Sequence, residues 1–137
     1  MSVAWYTDGR IIYDCPQGII TIETAQAASD AILALLDSQP DVSPNSIHLM
    51  IDMRQVEDFP RNLSSATQTL NYMRHPALGW TIMITANQVQ RIFASVLAQV
   101  FRVRFKMVAT LDEALSFLQR YDVTLAPLLP EMEKPEE

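Results

Sequence analysis

Apolar and polar residues change period several times along this chain, and each change marks a new element. Arg10–Asp14 (RIIYD) and Gly18–Ile22 (GIITI) are short β-type runs separated by Cys15-Pro16-Gln17, with a turn signal at Thr7-Asp8-Gly9. They predict a leading hairpin. After Thr24 the period lengthens: Ala28, Ala31, Ile32, Leu35 and Leu36 fall on one face of a helix capped by Thr24 and stopped by Pro40. Ser46–Asp52 then reads as a strand apolar on nearly both faces, which suits a central parallel strand. Asn62 or Ser64 is placed to cap a second helix through His75, with Leu63, Ala66, Leu70 and Met73 on its inner side. A further apolar strand covers Trp80–Thr85, and Val89, Ile92, Phe93, Val96, Leu97 and Val100 form the clearest helical stripe of the chain. In the last strand, Arg102–Ala109, Val103, Phe105 and Met107 alternate with Arg102, Arg104 and Lys106, as expected at a sheet edge. A capping box, Thr110-Leu-Asp-Glu113, opens the closing helix.

This order predicts an α/β domain: a leading β-hairpin, then three strand–helix units, in a mixed, mostly parallel sheet packed with about four helices. At 137 residues and 49% hydrophobic content the chain suffices for one core, expected over residues 1–126. Residues 127–137 are expected to be an acidic, disordered tail: Glu131–Glu137 alone holds four glutamates and one lysine, half of the formal net charge of −6.

Charge and composition then remove several functional classes. The net acidic charge argues against nucleic-acid binding, which needs a basic face, and no apolar run approaches the roughly 20 residues of a membrane span. With no leader-like start and a single cysteine, Cys15, a cytoplasmic location is expected. Three glycines cannot build a dinucleotide-binding turn or a P-loop. His48 lies inside an apolar strand and His75 precedes a proline, so structural roles are expected for both. No ligand spacing for a metal is present, and no catalytic residue, metal or cofactor is expected. One enzyme-like order remains, in which Asp52 and Thr85 at two strand ends and Lys106 on the last strand are similar to the phosphoacceptor site of receiver domains. The acidic pair that such domains use for Mg²⁺ has no counterpart after the first strand.

Several local motifs resemble the STAS domain, the small α/β module of anti-sigma-factor antagonists and of sulfate-transporter cytoplasmic tails. Gly18-Ile-Ile-Thr21 with Thr24-Ala25 is similar to that family's entry into its first helix, and Leu49-Met-Ile-Asp52-Met-Arg-Gln-Val56 to its central strand and turn. Phe105 through Leu118 resembles the last strand and closing helix. The resemblance implies a non-catalytic module that meets a protein partner at the junction after the central strand. In anti-sigma antagonists an Asp-Ser pair there is phosphorylated by a partner kinase; here those slots hold Pro60 and Arg61.

The surface expected to meet an unknown protein partner therefore comprises Asp52, Arg54, Arg61, Asn62, Ser64 and Ser65, with Ser64 and Ser65 as candidate phosphosites at a helix start. A homodimer is a further expectation, because Phe59, Pro60 and Leu125–Leu129 are hard to place in one small core. The alternative is a small-molecule or lipid-type carrier or sensor, with Trp5, Tyr6, Tyr13, Phe59, Tyr72 and Trp80 as pocket aromatics. A cavity of several hundred Å³ beside the sheet separates the two readings, since a pure interaction module is solid there.

Overall fold

A computed structural model of the protein describes residues 3–39 and 41–128. Five strands form the main sheet: β1 (Val3–Thr7), β2 (Ile11–Asp14), β4 (Ile47–Asp52), β6 (Leu78–Ile84) and β7 (Arg104–Val108). They lie in the order β1-β2-β4-β6-β7, with β1 antiparallel to β2 and all other pairs parallel. The α/β architecture is thus the expected one. Two short strands, β3 (Gly18–Ile19) and β5 (Val56–Asp58), pair in parallel outside that sheet.

The leading hairpin exists, but one strand earlier than the sequence pattern predicts. β1 pairs with β2 through a turn closed by the Arg10 amide donating to the Thr7 carbonyl at 2.9 Å, with Gly9 at φ 74°. Gly18–Ile22 does not return along β2. Pro16 has no N–H to offer a ladder, and Gly18 at φ 72° turns the chain away toward β5. Ile20 through Ile22 then feed α1 (Ile22–Asp37), which starts earlier than predicted because Thr21, not Thr24, is its cap. Thr24 instead completes the capping box, its hydroxyl accepting from the Thr21 amide at 2.8 Å.

Helices cover both faces of the sheet. On one, α1, α2 (Leu63–Thr69) and α3 (Gln88–Phe101) pack Ile32, Leu36, Leu97 and Phe101 against Ile12, Leu49 and Ile51. On the other, α4 (Leu111–Tyr121) packs Ala114, Leu115 and Leu118 against Ile11, Met50, Ile82 and Ile84. β4 runs through the middle with every residue buried, as its two-sided apolar pattern predicts. Leu125, in a 3-10 turn after α4, is fully buried in the second cluster, so it belongs to the core. The expected tail begins at Pro127, but Pro127 and Leu128 still belong to that 3-10 turn; the rest, from 129 onward, lies outside the described residues.

Two helices depart from their predicted faces. α2 stops at Thr69 and the chain continues as a 3-10 turn, Asn71–Arg74; Leu63 at the helix start is exposed. His75 is extended, as the residue before Pro76 must be. In α3, only Phe93 and Leu97 of the apolar stripe face inward, beside Gln90, Ala94 and Phe101. Val89, Ile92, Val96 and Val100 are exposed, because this helix is apolar around most of its circumference.

Candidate functional site

Between the sheet and the helices α1, α2 and α3 lies a cavity of about 800 Å³. Its floor is the sheet, with Ile51, Met53, Met83 and Phe105 in the lining. Its walls are made of small side chains where packed helices ordinarily place large ones: Ala25, Ala28 and Ser29 on α1, Ala66 on α2, Ala94 and Ala98 on α3. Large side chains fill the space between helix and sheet, and alanines leave it open. The connector before α2 supplies Phe59 and Pro60, with Phe93 edge-on to Phe59 at 5.4 Å between ring centres. These two residues, hard to place in a core by sequence, border the cavity.

Polar groups in the lining are few. Asp14, Ser29, Thr69, Tyr72 and Gln90 are buried polar members of the wall. The Ser29 hydroxyl donates to Asn71 Oδ1 at 3.4 Å, and Gln90 Oε1 accepts from the Thr85 hydroxyl. Burial, and behind it the charge of Asp14, pushes the Tyr72 hydroxyl well above its ordinary pKa, so it stays protonated. Cys15 is half-buried in the same wall.

The residues expected at the partner surface divide between two places. Ile51 and Met53 line the cavity, so Asp52 between them points to the opposite face. There it is buried, its carboxylate accepting from the Tyr13 hydroxyl at 2.6 Å and from Arg54 Nε and Nη2 at 2.9 and 2.7 Å. Burial alone raises its pKa, yet the hydrogen bonds from Arg54 and Tyr13 outweigh this and hold it below the usual carboxylate value. Arg54 covers it from the solvent side. Around the connector and α2, Arg61 pairs with Asp58 at 3.1 Å and lies over the Phe59 ring. Asn62 Oδ1 accepts the Ser65 amide at 3.0 Å as the helix cap, and both residues border the cavity, whereas Ser64 is exposed.

No receiver-like centre is assembled from Asp52, Thr85 and Lys106. Thr85 is held by Gln90 and the Asn87 amide, and the Lys106 ammonium sits over Phe117 at 5.5 Å. Both histidines are structural in geometry. His48 Nδ1 accepts the Trp80 amide at 3.0 Å and its Nε2 meets Asp122 at 2.8 Å. His75 repeats the arrangement with the Ala77 amide and Asp37. Among the described residues no group of His, Cys, Asp and Glu is placed to hold a metal ion, and no helix is long and apolar enough to cross a membrane.

The sequence reading missed Asp14, Gln90 and the alanine walls. The available signal was the alanine spacing: Ala25 and Ala28 on one helix, Ala94 and Ala98 on another, each three or four apart and facing the sheet.

A three-layer α/β sandwich with a mostly parallel sheet and one antiparallel edge strand is a STAS-like fold of the SpoIIAA-like kind. Solved structures of that fold superpose on the chain. An uncharacterized protein of the DUF3478 family with a SpoIIAA-like fold, from Shewanella loihica, matches with a TM-score of 0.60 at 16% identity, over 85% of this chain and 90% of the other. An anti-sigma factor antagonist from Mycobacterium paratuberculosis matches with a TM-score of 0.54 at 19% identity, over 85% and 92%. No family model and no curated protein matches the sequence.

Proposed function

We propose that this chain is a non-catalytic module, residues 1–126, that binds an apolar small molecule between its sheet and the α1–α3 layer. The cavity carries this reading. At about 800 Å³ it lies within the roughly 300–1,000 Å³ range of small-molecule sites, and its walls are mainly aliphatic and aromatic with a few convergent polar groups. A module working only through its surface has no use for such a hollow, since unfilled apolar space costs stability. The test is titration with the neutral apolar fluorophore N-phenylnaphthylamine. Saturable one-to-one enhancement is expected, and Ala94→Phe is expected to abolish it with the melting temperature retained. Absent or non-saturating fluorescence would remove the reading.

A second reading, contact with another protein, is favoured by a separate observation. Val89, Ile92, Val96 and Val100 form an exposed apolar stripe along α3, next to exposed Leu63 and the Arg61–Asn62–Ser64–Ser65 start of α2. Because α2 and α3 also wall the cavity, a partner on this surface would sense whether it is filled, and a phosphate on Ser64 or Ser65 would act at the same place. A second copy of the chain is one such partner. Sedimentation of the wild type and of Ile92→Glu separates the cases: dimers lost in the variant support the surface, and monomers in both count against self-association.

A further inference from the structure

The reading of the cavity as a ligand site does not itself say which molecules it takes, but the lining does. Among the described residues around it there is no Lys, Arg or His, and the one carboxyl group in the wall is that of Asp14. An anionic head placed here meets no cation and shares the space with a carboxylate, and burying an unpaired charge costs several kcal/mol or more.

Two buried neutral groups are, by contrast, available to a ligand. Tyr72 and Gln90 are 2% and 5% exposed, and both border the cavity. The Tyr72 hydroxyl has no hydrogen-bond partner among the described residues. Gln90 uses its Oε1 on Thr85, which leaves its amide N–H groups without one. Thr81 Oγ1 is the one fully enclosed side-chain polar atom that lacks a partner among the described residues, so the Tyr72 oxygen and the Gln90 nitrogen each retain accessible surface. Both residues belong to the lining of the hollow. Polar groups inside a protein are nearly always satisfied, and groups left open beside an apolar hollow are where the polar end of a ligand belongs.

Resting on the ligand-binding reading above, we infer that the site selects a neutral, largely apolar molecule with one oxygen-bearing head, a hydroxyl or carbonyl, hydrogen-bonded by Tyr72 and assisted by Gln90, and that it rejects carboxylates. The apolar body lies along Ile51, Met83 and the alanine walls of α1 and α3. The burial that keeps the Tyr72 hydroxyl protonated keeps it a donor.

The test displaces N-phenylnaphthylamine from the full-length protein with three molecules of one shape: phenylbutanol, phenylbutyrate and butylbenzene. At neutral pH phenylbutanol is expected to bind at least about tenfold more tightly than phenylbutyrate. Tyr72→Phe is expected to weaken phenylbutanol about three- to tenfold, the size of one hydrogen bond, and to leave butylbenzene unchanged. Phenylbutyrate binding as tightly as phenylbutanol overturns the selectivity while the cavity reading stands. A Tyr72→Phe loss that is equal for butylbenzene and phenylbutanol, or absent for both, overturns the role of the hydroxyl. If none of the three displaces the fluorophore from a folded protein, the ligand-binding reading falls and this inference falls with it.

Discussion

On the α4 side of the sheet, Ala114 and Leu118 are wholly buried against Met50, Ile82 and Ile84, and Trp80, Phe117 and Tyr121 stack outside them with ring centres 4.5–5.7 Å apart. On the opposite side, buried Ala94 and half-buried Ala28 border open space. The two faces use the same residue types on the same strands, yet one is filled and the other hollow. Small residues on the filled face let the helix approach the sheet, whereas on the hollow face three helices are held apart and the small residues leave a void. The division assigns stability to one face and binding to the other.

Truncations test that division most strongly. Leu118→Ala opens a cavity in a filled layer and is expected to cost about 2–5 kcal/mol, read by urea denaturation. Leu97→Ala borders space that is already empty, so it loses contacts on one side only and is expected to cost clearly less. Equal costs would mean that the α1–α3 layer is as closely packed in solution as the other.

Enlargements carry the comparison with opposite signs. Ala114→Leu overpacks the α4 interface and is expected to cost about 1–3 kcal/mol. Ala94→Leu fills part of the void and is expected to be neutral or to stabilise by up to about 2 kcal/mol, while weakening N-phenylnaphthylamine binding. Destabilisation by both, to the same degree, would break the contrast between the faces.

The filled face is also pinned by a charged cluster at the end of α4, and this makes it sensitive to acid. Asp122 joins Arg10 and His48, each at 2.8 Å. Burial holds the His48 ring below its ordinary pKa, against the hydrogen bond to Asp122, so the folded protein favours the neutral ring. An unfolded histidine titrates near about pH 6.5, so below that value the unfolded chain takes up a proton that the native chain resists. The His48 contribution is complete above about pH 6.5 and is lost as pH falls toward the depressed folded value. Asp122, whose pKa burial raises but the bonds from His48 and Thr124 and the charge of Arg10 lower further, adds its own loss below about pH 3.9. Melting temperatures between about pH 7 and 5 are expected to fall more steeply for the wild type than for His48→Phe. Binding of the neutral fluorophore, with no histidine in the lining, is expected to stay flat over the same range for as long as the protein is folded.

How far the sequence revealed these faces depends on what each residue reports. The two-sided burial of Ile47–Asp52 and the basic alternation of Arg104 and Lys106 on the edge strand β7 follow directly from local pattern, because strand periodicity records which sides are covered. The α3 stripe misled for the reason that it was clear: Val89, Ile92, Val96 and Val100 form a regular apolar row, but Gln90, Phe93, Ala94 and Leu97 offer a second face, and only the tertiary fold decides between them. The hairpin slipped by one strand because Gly18–Ile22 has β propensity that the Thr21 cap overrides. Of the candidate site, the α2 start was legible from Asn62 and the connector, whereas the cavity was not. A void is a difference between side-chain volume and the spacing of elements, and sequence alone supplies only the first.

The smallest expected effect lies at the edge of the hollow. Asn62 caps a helix of only 7 residues by accepting the Ser65 amide, and that helix has no acidic residue in its first turn to support it. Asn62→Ala is expected to cost about 1 kcal/mol globally, well below the Leu118 truncation. Its local effect is expected to be larger in kind: amide exchange should accelerate through Leu63–Thr69, which walls the cavity, and remain unchanged in α4. With N-phenylnaphthylamine bound, that acceleration is expected to be reduced, because a filled cavity gives Ala66 and its neighbours something to pack against. Exchange in α2 that responds to neither the cap nor the fluorophore would show that this wall is held by the sheet rather than by what occupies the hollow, and the two faces would then differ in volume alone.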